Sequence, residues 1–243
     1  MGSVTSSPSQ TGRGGGGLAP PINRGGGDGR GDAFPHYPQR LRRARMALFL
    51  AMAPIAMFFV MIVAAAIARH STQTLDEQGN SYVRNWTPIR LPLTLLTVNT
   101  GLLLASSLTA ELARRQIARQ AALSPVRSIP GVSLGKERET PWLALTVALG
   151  MGFLAGQWLA WRELARRGFY LATSASSSFV YLLTAAHAVH LLGGIIVLLY
   201  AAALWVVRRP IDARRIVVDV TALYWHFMFV LWAGIFAFLW LAG

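Results

Sequence analysis

Three histidines lie inside apolar stretches long enough to cross a bilayer. His187 and His190 stand in SSSFVYLLTAAHAVHLLGGIIVLLY, and His226 in DVTALYWHFMFVLWAGIFAFLWLAG. An ionisable side chain at such depth is costly, so it marks a function or a partner. Imidazole there has two chemistries. It ligates a metal or haem iron through a ring nitrogen, or it stays neutral and hydrogen-bonds a neighbouring helix or a bound lipid. His187 and His190 are three residues apart and so share roughly one side of a helix. Counted from the basic connector between the two stretches at about 1.5 Å per residue, His226 lies about 10 Å in and His190 about 20–25 Å in. Two axial ligands of one haem need similar depths, so the second chemistry is the expectation for each imidazole.

Other chemistries lack their residues. The chain has no cysteine, which excludes disulfides, thiolate metal sites and thiol nucleophiles. Spacing shows no carboxylate pair, no Ser-His-Asp set and no phosphate-cradling glycine loop, since the runs Gly14 to Gly17 and Gly25 to Gly27 precede no strand and helix. Glu111, followed by Arg114 and Arg115, reads as an exposed ion pair of little energetic weight, and Glu163 beside Arg162, Arg166 and Arg167 reads the same way. Asp219 reads as a cap at the positive end of the last helix.

The elements that must position these residues follow from hydropathy. Of 243 residues 53% are hydrophobic and only 14% charged, a balance that points to a membrane protein. Residues 1–38 are rich in Gly, Ser, Pro and Arg and bury too little apolar surface to offset the entropy of ordering, so a disordered tail is expected. Residues 39–243 read as an all-α membrane domain of five helices, with spans at about 46–68, 91–111, 141–161, 179–207 and 219–241. Helices are required because unpaired backbone groups in lipid would cost several kcal/mol apiece, and the continuous apolar runs exclude a barrel.

Within these spans, Pro54 should kink the first helix. Asn99, Thr100, Ser106, Ser107 and Thr109 suit interhelical contacts or bonds to the preceding turn. The connector containing Pro125, Pro130 and Gly131 should be irregular. Gly152 and Gly156 form a small-xxx-small pair that predicts close helix approach. Gln157, Trp158, Trp161, Arg162 and Glu163 should mark the membrane interface. Trp225, Trp232 and Trp240 should pack or anchor.

The net charge of +13 comes from connectors and tail. Seventeen Lys and Arg fall in the tail and the second and fourth connectors, against six in the first and third. The positive-inside rule then places the amino terminus in the cytoplasm and Gly243 outside, which accounts for the charge with no nucleic acid as partner.

The pattern T-x-x-H-x-x-H-x-x-x-G formed by Thr184, His187, His190 and Gly194, followed by Tyr224, Trp225, His226, Phe227 and the later Trp232, resembles subunit III of the haem-copper terminal oxidases. The resemblance extends in order from Met46 to Leu241, through VNTGLLLASSLTAELARR with Asn99, Ser106 and Ser107, LGMGFLAGQWLAW with Gln157, and SSSFVYLLT. It implies a non-catalytic subunit of a bacterial respiratory oxidase in the cell membrane, with haem and copper in its partners and no cofactor or metal in this chain. The implied partners are subunits I and II and membrane phospholipid, and the implied work is support of the catalytic subunit, of lipid binding and of proton uptake. The motif residues named above are then structural or lipid contacts.

Some family features are absent. The first span offers Ala53 and Pro54 where many members carry an acid, Met228 and Phe229 follow Phe227 where many have Val-Asp, and Ala185 and Ala188 replace two glycines. A proton-handling role for those acids does not carry over. Accessory subunits of quinol oxidases or nitric oxide reductases stay open as alternatives, and so does an independent membrane haem-binding or transport protein. A haem spectrum of the isolated chain, lost in His190→Ala, would mark the last of these.

Overall fold

A computed structural model of the chain describes residues 37–72, 74–75, 82–83, 91–127, 141–171, 173–207 and 210–242. Apart from Tyr37 and Pro38, the tail expected to be disordered lies outside them. The five helices are α1 (Tyr37–Ser71), α2 (Leu93–Arg127), α3 (Trp142–Arg166), α4 (Ala175–Val206) and α5 (Ile211–Ala242). All five are long and apolar enough to cross a membrane. The connector after α1 adds a two-residue antiparallel ladder, Thr74–Leu75 with Tyr82–Val83, to the otherwise all-helical fold.

The helices outrun the apolar spans that announce them. α1 and α2 have 35 residues each and are therefore about 52 Å long. A hydrocarbon core needs only about 30 Å. α2 continues past Glu111 to Arg127, so the first part of the expected irregular connector is helical, through Pro125; residues 128–140 lie outside the described set. α1 is assigned as one continuous helix through Pro54. α5 begins at Ile211 rather than Asp219, which places Asp219 two turns inside and removes its capping role.

Local chemistry sets the ends that can be read. α4 starts at Ala175 because Ser174 and Ser177 form a reciprocal capping box, each hydroxyl accepting from the other's backbone N–H at 3.2 and 3.1 Å. α3 ends at a left-handed Gly168 (φ 85°), whose N–H bonds Ala165 O while that of Phe169 bonds Leu164 O.

α2, α3, α4 and α5 each pack against two of the others, closing a ring, and α1 lies outside it against α4 and α5. The core between the ring helices is made by Leu103, Phe153, Leu183, Leu191, Trp225 and Trp232. α1 turns a single stripe inward, Met52, Phe59, Ile62 and Ala66. Its other faces carry Met46, Leu50, Met57 and Met61, all more than half exposed, as befits a helix whose solvent is lipid.

Candidate functional site: the polar interior of the bundle

The polar residues picked out by type and spacing fall into three layers along the bundle. The first lies at the end where α1 and α5 begin. Arg45 of α1 grips Asp219 of α5 with two hydrogen bonds, Nε to Oδ2 at 2.7 Å and Nη2 to Oδ1 at 2.8 Å. Arg114 of α2 reaches the same carboxylate at 3.4 Å and binds Glu111 through both Nε and Nη2. Arg115 adds a bond to Glu111 at 2.8 Å. His226 of α5 then bridges to α2: its Nε2 stands 3.5 Å from Glu111 Oε2, and its Nδ1 pairs with Ser107 Oγ at 2.5 Å.

Two expectations change here. Glu111 is not an exposed pair, since its side chain is only 18% accessible and it serves two arginines and a histidine at once. The fold also assembles a Ser-His-acid line, Ser107, His226 and Glu111, from residues far apart in sequence, which spacing alone does not show. Ser107 is 5% exposed, and the Glu111 carboxylate of the line is paired with two guanidiniums. The line ties α2 to α5.

The second layer centres on Trp225, fully buried. Its indole N–H donates to Ser106 Oγ at 3.0 Å, and Ser106 donates to the Thr146 carbonyl of α3 at 3.0 Å. Thr109 and Thr146 pair their hydroxyls at 2.9 Å. The indole fits because two helices present glycine to it: a Cβ on Gly150 would lie 2.9 Å from the ring, and one on Gly194 3.0 Å. Beside it Tyr224 donates to the His190 carbonyl at 3.0 Å.

In the third layer His187 is completely buried, its ring 5.7 Å from that of Phe153 and 5.1 Å from that of Trp232. Trp232 donates to Thr100 Oγ1, and Trp161 donates to Thr184 Oγ1, both at 3.0 Å. Asn99 fills the notch of Gly156, where a Cβ would come within 1.9 Å of its Oδ1. Gly152 has no such neighbour, its nearest atom being Leu102 Cδ1 at 3.9 Å, so only half of the small-residue pair makes a close approach.

The histidines thus meet different fates. His226 bonds a neighbouring helix, as expected. Among the described residues His190 Nδ1 donates to Ala186 O of its own helix at 2.7 Å, and its ring meets Phe59 of α1 edge-on at 5.7 Å. His187 has no hydrogen-bond partner on either nitrogen among the described residues. Gln157 faces into the bundle at 2% exposure, whereas Trp158 beside it is 60% exposed. Trp225 and Trp232 are buried and Trp240 is exposed. Among the described residues no group of three or more His, Asp or Glu side chains converges as a ligand set.

No family model matches the chain. It is 31% identical over 215 residues to the cytochrome c oxidase subunit 3 of Synechocystis sp., covering 87% of this chain and 80% of that protein. It is 29% identical over 155 residues to the probable cytochrome c oxidase subunit 3 of Nocardia farcinica, covering 63% of this chain and 70% of that one. A third relative, the cytochrome c oxidase subunit 3 of Bacillus sp., is 33% identical over 110 residues, which is 42% of this chain and 49% of its own.

Proposed function

Because the chain belongs to the cytochrome c oxidase subunit 3 family, we propose that it is a scaffold subunit of a bacterial respiratory oxidase, with no active site of its own, acting by holding the catalytic subunit and phospholipid. The observation that carries this reading is where the motif side chains point. Ser106, Ser107, Thr184, Trp225, His226 and Trp232 spend their polar atoms on contacts inside the bundle. Groups committed in this way build a rigid body rather than a reaction centre. The haems and coppers would then belong to subunits I and II; in this chain His190 and His226 face different partners and do not converge on one site.

Phospholipid is the ligand that the surface suits best. A groove of about 510 Å³ runs between α4 and α5 at the end where α5 begins, walled by Tyr200, Leu204, Val207, Ile216 and Val217 and rimmed by Arg40 of α1. Its aliphatic walls suit an acyl chain, and the guanidinium suits a phosphate. Support of proton uptake would be indirect, through the stability of the catalytic subunit that this chain braces.

Affinity purification from native membranes in mild detergent tests the reading. A haem-copper catalytic subunit and a copper-bearing subunit II should copurify in equal amounts with this chain. Recovery of the chain alone, or with a Soret band of its own, would overturn it.

A further inference from the structure

The third layer of the bundle differs from the other two, because its polar atoms are left over. Asn99 Nδ2, Gln157 Oε1 and both ring nitrogens of His187 are buried with no partner among the described residues. These side chains come from α2, α3 and α4 and are 0–2% exposed. Shared neighbours put them in one layer. Phe153 touches the rings of both His187 and Trp232, and lies one helical turn before Gln157. Trp232 bonds Thr100, the residue after Asn99, and Asn99 itself lies against Gly156, the residue before Gln157.

Two neighbouring polar groups are already committed. The indole N–H of Trp232 is spent on Thr100, and the Thr184 hydroxyl donates to Val180 O while accepting from Trp161. Phe153 offers neither donor nor acceptor. The leftover set is nevertheless complementary: an amide N–H that donates, an amide oxygen that accepts, and a neutral imidazole with one nitrogen of each kind. A molecule that donates and accepts at once can serve all of them. The smallest such molecule is water, which inside proteins makes about three hydrogen bonds to otherwise unpaired groups.

We propose that the ring of α2, α3, α4 and α5 holds an internal water bound by Asn99, Gln157 and His187. Bound there, it joins α2, α3 and α4 in the part of the bundle where Trp161 and Trp232 make direct interhelical bonds. It gives these three polar residues a shared role that the scaffold reading alone does not specify, and it holds whichever subunits accompany the chain.

Two measurements on the protein as purified from native membranes decide it. A density map fine enough to show ordered water should contain a peak within hydrogen-bonding distance of at least two of the three side chains. A map with no such peak, or one in which rotated Asn99 and Gln157 amides bond each other directly, overturns the proposal. The second is His187→Phe, which keeps the shape of the ring and removes its nitrogens. Loss of a water ligand should lower the unfolding midpoint by about 2–4 °C. An imidazole that was simply unpaired predicts the reverse, because removing it relieves a desolvation cost. Gln157→Leu gives the same contrast should His187→Phe fail to accumulate, and a raised midpoint in either variant overturns the proposal.

Discussion

A methyl group added at Gly156 has nowhere to go. Its Cβ would overlap the Asn99 amide, whose nearest atom stands 1.9 Å away, whereas a Cβ at Gly152 would meet only Leu102 at 3.9 Å. Gly156→Ala is therefore expected to destabilise the bundle by about 1–3 kcal/mol through overpacking. Gly152→Ala should be neutral or gain up to about 1 kcal/mol of helix propensity. Thermal unfolding followed by size-exclusion chromatography of the two variants checks this, and equal behaviour of the pair would refute it. Residue identity was legible to different degrees. Ser106, Thr184 and the tryptophans could be recognised because polar or large side chains in an apolar span need partners. For Gln157 the type suggested a depth but not a direction: about 100° of rotation per residue turns Gln157 into the bundle and Trp158 outward, which is fixed only once the inward face of α3 is known. His187 could not be placed by type at all, since its burial depends on Phe153 and Trp232 arriving from two other helices.

At the scale of elements, α1 is attached to the ring differently from the way the ring helices hold one another. It buries a narrow stripe and relies on two ends: Arg45 on Asp219 near its start, and Phe59 against His190 farther along. The Asp219 side chain is only 10% accessible, so salt screens the pair weakly, and losing Arg45 leaves that carboxylate with Arg114 alone at 3.4 Å. Arg45→Ala and Asp219→Ala should each cost about 1.5–3 kcal/mol. The double variant should cost clearly less than the two together, because one interaction is being removed twice. Simple additivity in unfolding midpoints would mean that the contact does not hold α1. Apolar runs revealed that five helices exist but not where they end. Hydropathy stops where lipid stops, while a helix continues as long as its backbone bonds are satisfied, so α5 began two turns before Asp219 and α2 extended to Arg127. That overrun is what turned an apparent cap into a buried ion-pair centre.

For the molecule as a whole, the closed ring of four helices with α1 outside it was not legible, because no periodicity states which helix faces which. The contacts do set the relative directions: Arg45, Arg114 and Asp219 meet at one end, bringing together the start of α1, the later part of α2 and the start of α5. Which end faces the cytoplasm depends on charge instead. Seventeen Lys and Arg fall in the tail and the two connectors at that end, against six in the other two. Since basic loops resist translocation, the Asp219 end should be cytoplasmic. The absence of cysteine makes this directly measurable, because any single introduced thiol is the only one in the chain. Ala122, exposed near the end of α2, and Leu171, exposed between α3 and α4, report opposite ends. In intact cells a membrane-impermeant maleimide should label Leu171→Cys and spare Ala122→Cys until the membrane is opened. Labelling of Ala122→Cys with Leu171→Cys protected would invert the topology, and would put the Arg40-rimmed groove, and the phospholipid proposed for it, in the opposite leaflet.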